Sequence, residues 1–257
     1  MELTADYHTH TPYSHGKGSV LENATRAKEL GLKEIGITDH GFSHVVFGVR
    51  RKQIEKLVRD CKEAEDKTGI RVYTGLENNI RGVSGKCDFT EEDYENFDLF
   101  LAGIHVYIHY DRLSDWKLGW GSLLRTKLKI KPSRSLVDDT TKAYINAVKN
   151  NPIDILTHIG FRCFCDPVEV AKCCRDYGTY LEISSKKRHL SDEELSKVAA
   201  TGVRFVIDSD AHSVSRVGDH ALAEEQIMRV GIPLSQIDNI EGRLPTFRFT
   251  EYKKKHC

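Results

Sequence analysis

Short apolar runs alternate with helical patterns about seven times along this chain, and that alternation constrains its fold more than any other feature. The runs cover residues 3–8, 34–38, 70–76, 98–104, 153–157, 179–183 and 203–207. They are nearly continuous in hydrophobicity, without the polar-apolar alternation of a strand with one wet face. Strands of that kind, joined by helices, imply a parallel sheet covered by helices, an α/β architecture. Between them, Ser19 with Glu22 forms a capping-box signal. Over 51–68, Ile54, Leu57, Val58, Cys61 and Ala64 share one helical face, and Gly69 stops the run. Further helices are expected over about 140–150, after Asp166-Pro167, after Ser191, and over 221–230. The tail from Pro233 has no clear pattern. No linker or internal repeat divides the chain, so residues 1–257 read as one domain with an insert at about 106–139. The insert holds Trp116, Trp120 and seven basic residues between Arg112 and Arg134.

The ends of those strands carry the chemistry. Strand one delivers His8 and His10, two residues apart and so on one face, with His15 in the following loop. Strand two ends at Asp39 and His40, strand three at Glu77, strand four at His105 and strand five at His158. Strand seven runs into Asp210 and His212. These nine ligand-type residues (Asp39 left aside) follow the C-terminal ends of their strands, where parallel sheets and barrels build their sites. Solvated surface histidines would account for His8 and His10 alone, but not for this shared phase. Nine imidazole and carboxylate groups suffice for two or three metal ions at three to four protein ligands each. A set without thiolate suits zinc, manganese or iron rather than copper(I).

Composition narrows the partners. In 257 residues, 38 basic side chains balance 38 acidic ones, so no global field draws the chain to nucleic acid or to a membrane. No secretion signal or membrane-length apolar run is visible, and a cytoplasmic location is expected. The seven cysteines lack C-x-x-C spacing and read as reduced thiols; Cys163, Cys165, Cys173 and Cys174 are the weaker candidates for a soft metal or redox site.

Taken in order, His8-Thr9-His10 with His15, Thr38-Asp39-His40, Gly75-Leu76-Glu77-Asn78, His105, His158 and Ser209-Asp210-Ala211-His212 resemble the motifs of the polymerase and histidinol phosphatase (PHP) family of metal-dependent phosphoesterases. The resemblance covers about residues 5–215 and is greatest to the family's small stand-alone trinuclear-metal phosphatases. It implies a distorted (β/α)7 barrel with parallel strands. It also implies three metal sites: His8, His10, Glu77 and Asp210; then Glu77, as a bridge, with His105 and His158; then His15, His40 and His212. Two or three divalent ions would serve hydrolysis of a small phosphomonoester through a hydroxide bridging the Glu77-linked pair. Glu77, Asp210 and His212 are the expected catalytic residues.

Several alternatives stay open at this stage. A phosphodiesterase or exonuclease acting on nucleic acid or nucleotides is the first rival, because the basic, Trp-bearing insert could stack on single strands. A non-catalytic metal-containing binding module is another. Asp39 and Asp208 read as carboxylates that orient neighbouring imidazoles, with proton donation to the leaving group as the alternative role. Strand six is read as the one strand without a ligand. The loop after it, through Lys186 and Arg188, together with Arg162 and Arg216, could offer cations to a phosphate. His44, His109, His189, His220 and His256 fall outside the motifs and read as solvated or packed.

Overall fold

Seven strands form a single parallel sheet in chain order in the computed structural model, which describes residues 1–256. They are β1 (Ala5–Thr9), β2 (Glu34–His40), β3 (Arg71–Asn79), β4 (Leu99–Gly103), β5 (Ile155–Leu156), β6 (Tyr180–Ser184) and β7 (Phe205–Asp208). The last strand returns to the first. Thr9 bridges Ala211 in parallel, His10 N donates to Ala211 O (2.8 Å), and Ala211 N donates to His8 O (3.2 Å). The sheet is therefore a nearly closed barrel with helices outside, the (β/α)7 arrangement expected from the alternation.

Alternate residues of each strand face opposite layers. Leu99 and Leu101 of β4 point inward with Ala5, Tyr7, Ile155, Tyr180 and Val206, whereas Phe100 and Ala102 pack beneath the helices. The helices start and stop where local chemistry dictates. Ser19 and Glu22 close a capping box on α1 (Val20–Glu29), and Gly69, at φ 75°, ends α2 (Ile54–Thr68). A short α3 (Ser122–Leu128) lies within the insert, preceded by a π-helical turn over Lys117–Gly121. The next helix, α4 (Arg134–Asn150), begins at Arg134 rather than near 140, because the Ser133 side chain caps it by accepting from Leu136 N (3.2 Å). Then come α5 (Pro167–Tyr177), capped by Asp166, α6 (Asp192–Ala199) and α7 (Ala221–Val230).

The patternless tail closes the barrel. Asn239 fills the unpaired part of the β1–β7 seam. Its amide donates to Ala5 O (2.9 Å) and Ile207 O (2.7 Å), and its side-chain oxygen accepts from Ile207 N (2.9 Å). Phe247 then plugs the floor of the barrel, edge-on to Tyr7 with ring centres 4.9 Å apart, and α8 (Arg248–His256) follows.

One irregularity places the opening histidines. Ala5 pairs with Glu34 and Asp6 with Ile35, but Thr9 pairs with Ile37; β1 advances three residues where β2 advances two. That extra residue is a β-bulge, and it reverses the side-chain phase. Ala5 and Tyr7 face the interior before it, and His8 and His10 do so after it. Without it, the two histidines would point into the helical layer. Among the described residues, no helix is long and apolar enough to cross a membrane.

Candidate metal centre

Glu77 is the hub of the site. It belongs to the barrel-facing series on β3, one barrel-facing position before Asn79, and is fully buried. Its two oxygens face different partners. Oε1 lies 2.7 Å from His158 Nε2 and 3.1 Å from His105 Nε2; Oε2 lies 2.9 Å from His40 Nδ1, 3.5 Å from His8 Nε2 and 3.8 Å from His10 Nε2. Asp210 Oδ1 lies 3.2 Å from His10 Nε2, 3.3 Å from His212 Nδ1 and 3.9 Å from His8 Nε2. His8 Nε2 and His10 Nε2 are 3.1 Å apart. The exposed His15 sits at the edge, its ring 4.2 Å from that of His212 and 4.9 Å from that of His40. All nine residues singled out from the sequence thus meet at one mouth of the barrel.

Backbone geometry helps to aim them. His158 has φ 25° and Asp210 φ 46°, in the left-handed region that such residues occupy only under constraint. Gly103, at the end of β4, leaves necessary space: a Cβ there would collide with Thr157 Oγ1, which donates to Glu77 Oε1 (3.1 Å).

A second ring of polar groups holds the imidazoles, and sequence reasoning missed its main members. Glu182 on β6 is buried and places Oε1 2.6 Å from His8 Nδ1, while its Oε2 accepts from His158 N (2.5 Å). The sixth strand, read as the one without a ligand, thus supports two of the site's histidines. The signal was present in the barrel-facing series Tyr180, Glu182, Ser184. Asn79 Oδ1 likewise lies 2.8 Å from His105 Nδ1. Asp39 and Asp208 contact no imidazole directly. Asp39 accepts from Thr11 N (2.7 Å), Thr11 Oγ1 and Ser14 Oγ (both 2.5 Å), and Ser14 Oγ is 3.5 Å from His10 Nδ1. Asp208 accepts from Tyr7 N (2.7 Å).

The electrostatics suit cations. Burial opposes ionisation of Glu77, but His105, His8 and His158 outweigh it and hold the carboxyl well below its ordinary range. Asp210 is likewise held low against burial by His8 and His10. Burial drives the His40 imidazole down to about 3, and burial with His212 and Lys186 takes His15 to about 4. His8 and His158 move the other way: burial lowers them, yet Glu77 and Glu182 raise them, with Asp210 contributing. Glu77 Oε2, His40 Nδ1 and His158 Nδ1 are buried without a hydrogen-bond partner. Ionised carboxylates converging with imidazoles, with lone pairs left unsatisfied, fit divalent cations. Donor atoms converge in four groups: His8, His10 and Asp210; His10, His40 and His212; His40, Glu77 and His105; and His8, His158 and Glu182. Cysteine enters none of these groups, and the six described cysteines are unpaired.

The centre floors a cleft of about 410 Å³. Arg162 and Lys186 line it, as does Lys187, and Lys186 Nζ is 3.1 Å from Asp210 Oδ2. Arg188 and Arg216, also considered for phosphate, do not line the cleft; they pair instead with Glu225 and Asp219 at 2.6 Å. His44 and His189 do line it, His44 buried and stacked on His40 with ring centres 4.8 Å apart. His109 and His256 are exposed, and His220 is half-buried.

Residues 6–186 match the family model of the PHP domain, and the chain belongs to that family. It is 29% identical over 253 residues to a probable phosphatase of Vibrio campbellii, covering 92% of this chain and 88% of that one. It is 28% identical to a probable phosphatase of Thermoanaerobacter sp. (strain X514), covering 99% and 98%. In fold it is similar to the histidinol phosphate phosphatase of Lactococcus lactis, solved with zinc, L-histidinol and phosphate, with TM-score 0.58, 15% identity and coverage of 96% and 97%.

Proposed function

We propose that this protein is a metal-dependent phosphatase that hydrolyses small phosphomonoesters at the Glu77 centre. The observation that carries the reading is the division of one buried carboxylate between two sets of imidazoles, Oε1 toward His105 and His158, Oε2 toward His8, His10 and His40. In this reading His8, His10, Glu77 and Asp210 hold one ion. Glu77, His105 and His158 hold a second, and His15, His40 and His212 a third. When bound, such ions supply positive charge to the phosphoryl oxygens and acidify the attacking water. The chain's own groups do the rest. Glu182 and Asn79 fix the imidazoles of His8 and His105. Arg162 and Lys186 offer donors to the phosphate's outer oxygens from the cleft wall. Asp210 Oδ2 and His212 Nδ1 each lie 3.1 Å from the Lys186 ammonium and hold it beside the centre.

The test is inorganic phosphate release from a panel of phosphorylated metabolites by metal-loaded protein, with Glu77→Gln alongside. Turnover by the parent and none by the variant is the expected result; equal rates would reject the site. A second reading, hydrolysis of nucleic-acid diesters, draws on the exposed Trp116 and Trp120 within the basic insert. Nucleotides released from oligonucleotides faster than phosphate from monoesters would favour it.

A further inference from the structure

The insert turns an apolar side outward. From Leu113 through the π-helical turn and α3, Asp115, Leu118, Ser122 and Leu123 are buried, at the spacing of one helical face. The opposite face carries Leu113, Trp116, Trp120, Leu124 and Leu128, followed by Ile130, all 40–92% exposed. The first five recur every three or four residues and form a ridge where a surface helix ordinarily presents polar groups. That ridge is firmly mounted. Gly119 packs so closely on the segment after β4 that a Cβ there would lie 2.7 Å from His105 O, and Lys117 Nζ pairs with Asp139 of α4 (2.6 Å). Its middle reaches the rim of the cleft. Trp120 meets Tyr107 edge-on with ring centres 4.8 Å apart, and Val45 N donates to Tyr107 O (2.8 Å), which adds the exposed Val45 and Val46 to the same apolar surface. A patch of this kind on an otherwise charged exterior marks a docking surface.

Charge selects the occupant. The whole chain is neutral, but residues 112–134 hold seven basic side chains against one acidic, the buried Asp115. Lys127 and Lys129 flank Leu128, Lys131 follows Ile130, and these three exposed ammonium groups have no carboxylate partner among the described residues. A second copy docked across a two-fold axis would set this excess of charge against itself. Bases stack on the two tryptophans but gain little from the four aliphatic side chains. A protruding row of Trp, Leu and Ile set among lysines matches instead an anionic bilayer surface, whose headgroups take the lysines and whose acyl boundary takes the ridge. We propose that the insert is an interfacial anchor that seats the protein on anionic membranes, with the mouth of the cleft beside the headgroup layer.

Trp116 and Trp120 are the chain's two tryptophans, so their emission reports on this ridge directly. The whole, metal-loaded chain should float with vesicles of phosphatidylglycerol and phosphatidylcholine and show a blue-shifted emission. Vesicles of phosphatidylcholine alone should produce neither effect, and added NaCl should weaken the binding. Leu124→Gln with Leu128→Gln removes apolar area but no charge, and should weaken binding at least about tenfold. Lys127→Gln with Lys129→Gln should weaken it about 25-fold, at about fivefold per charge. All four side chains are exposed, so the melting temperature should match the parent's, and the lysine pair decides if the leucine pair does not fold. No flotation and no shift with phosphatidylglycerol would overturn the proposal, as would binding that either pair of substitutions leaves unchanged. Lipid-free dimers that the leucine pair dissociates would overturn it by giving the ridge to a second copy. Quenching of the tryptophans by single-stranded oligonucleotides at lower concentration than by vesicles would overturn it in favour of nucleic acid. Phosphate release plays no part in these readouts, so the anchor stands or falls separately from the phosphatase reading.

Discussion

Replacing Glu182 by Gln should weaken metal binding about 10–100-fold without unfolding the protein. Both oxygens of Glu182 accept from N–H groups, one from the His8 ring (2.6 Å) and one from the His158 backbone (2.5 Å). Glutamine offers one oxygen and one NH2, so one donor is left facing another. An unpaired buried donor costs about 1–3 kcal/mol, and each 1.4 kcal/mol is about tenfold in an equilibrium constant. Loss of a carboxylate behind a metal-binding histidine is known to cost about the same factor. Glu182 acts from behind, since His8 turns Nδ1 to it and Nε2 to Glu77 and Asp210. Turnover should therefore return to within several-fold of the parent at excess metal. The assay is titration of metal-free protein with Zn²⁺ against a chelating indicator, followed by phosphate release at saturating metal. Glu193→Gln, on the exposed start of α6, is the neutral control. An unchanged affinity in Glu182→Gln would refute the argument that this carboxylate orients His8.

Glu77→Gln should lower phosphate release by about three orders of magnitude or more, because on the proposed reading this carboxylate supplies the charge that holds the metal ions; circular dichroism checks that the barrel persists. Asn239→Ala should cost about 2–4 kcal/mol in urea unfolding, since two carbonyls and one N–H of β1 and β7 lose their partner, while activity per folded molecule is kept. Metal affinity should fall as pH drops from about 8 to 6, because the raised imidazoles of His8 and His158 must release protons on binding; calorimetry in two buffers of different ionisation enthalpy should show that release. The sign reverses for the metal-free protein. Stability from those two groups is present below the ordinary imidazole pKa and is lost as pH rises through the raised ones, so its melting temperature should decline with pH.

The strand–helix alternation was legible because strands buried on both faces are continuous apolar runs, and the ligands were legible because they follow those runs. The β1 bulge was not: the order Ala5-Asp6-Tyr7-His8-Thr9-His10 reads as an unbroken strand, and only its pairing with β2 exposes the extra residue. Glu182 was hidden for a related reason. It lies inside an apolar run, not after it, and a buried carboxylate there makes sense only once His8 is seen 2.6 Å away. Asn239 and Phe247 belong to a segment without periodicity, because they fill a seam and a floor and not a helix face or a sheet. Arg188 and Arg216 show the converse: proximity to the motifs placed them near the rim, but acidic neighbours on α7 and its approach hold their side chains elsewhere.

Metal content measured together with turnover tests the central claim most directly. Purified protein should carry two to three divalent ions per chain, lose phosphate release on treatment with a chelator, and regain it as Zn²⁺, Mn²⁺ or Fe²⁺ is restored. Full phosphate release from protein holding less than one ion per chain would contradict the account.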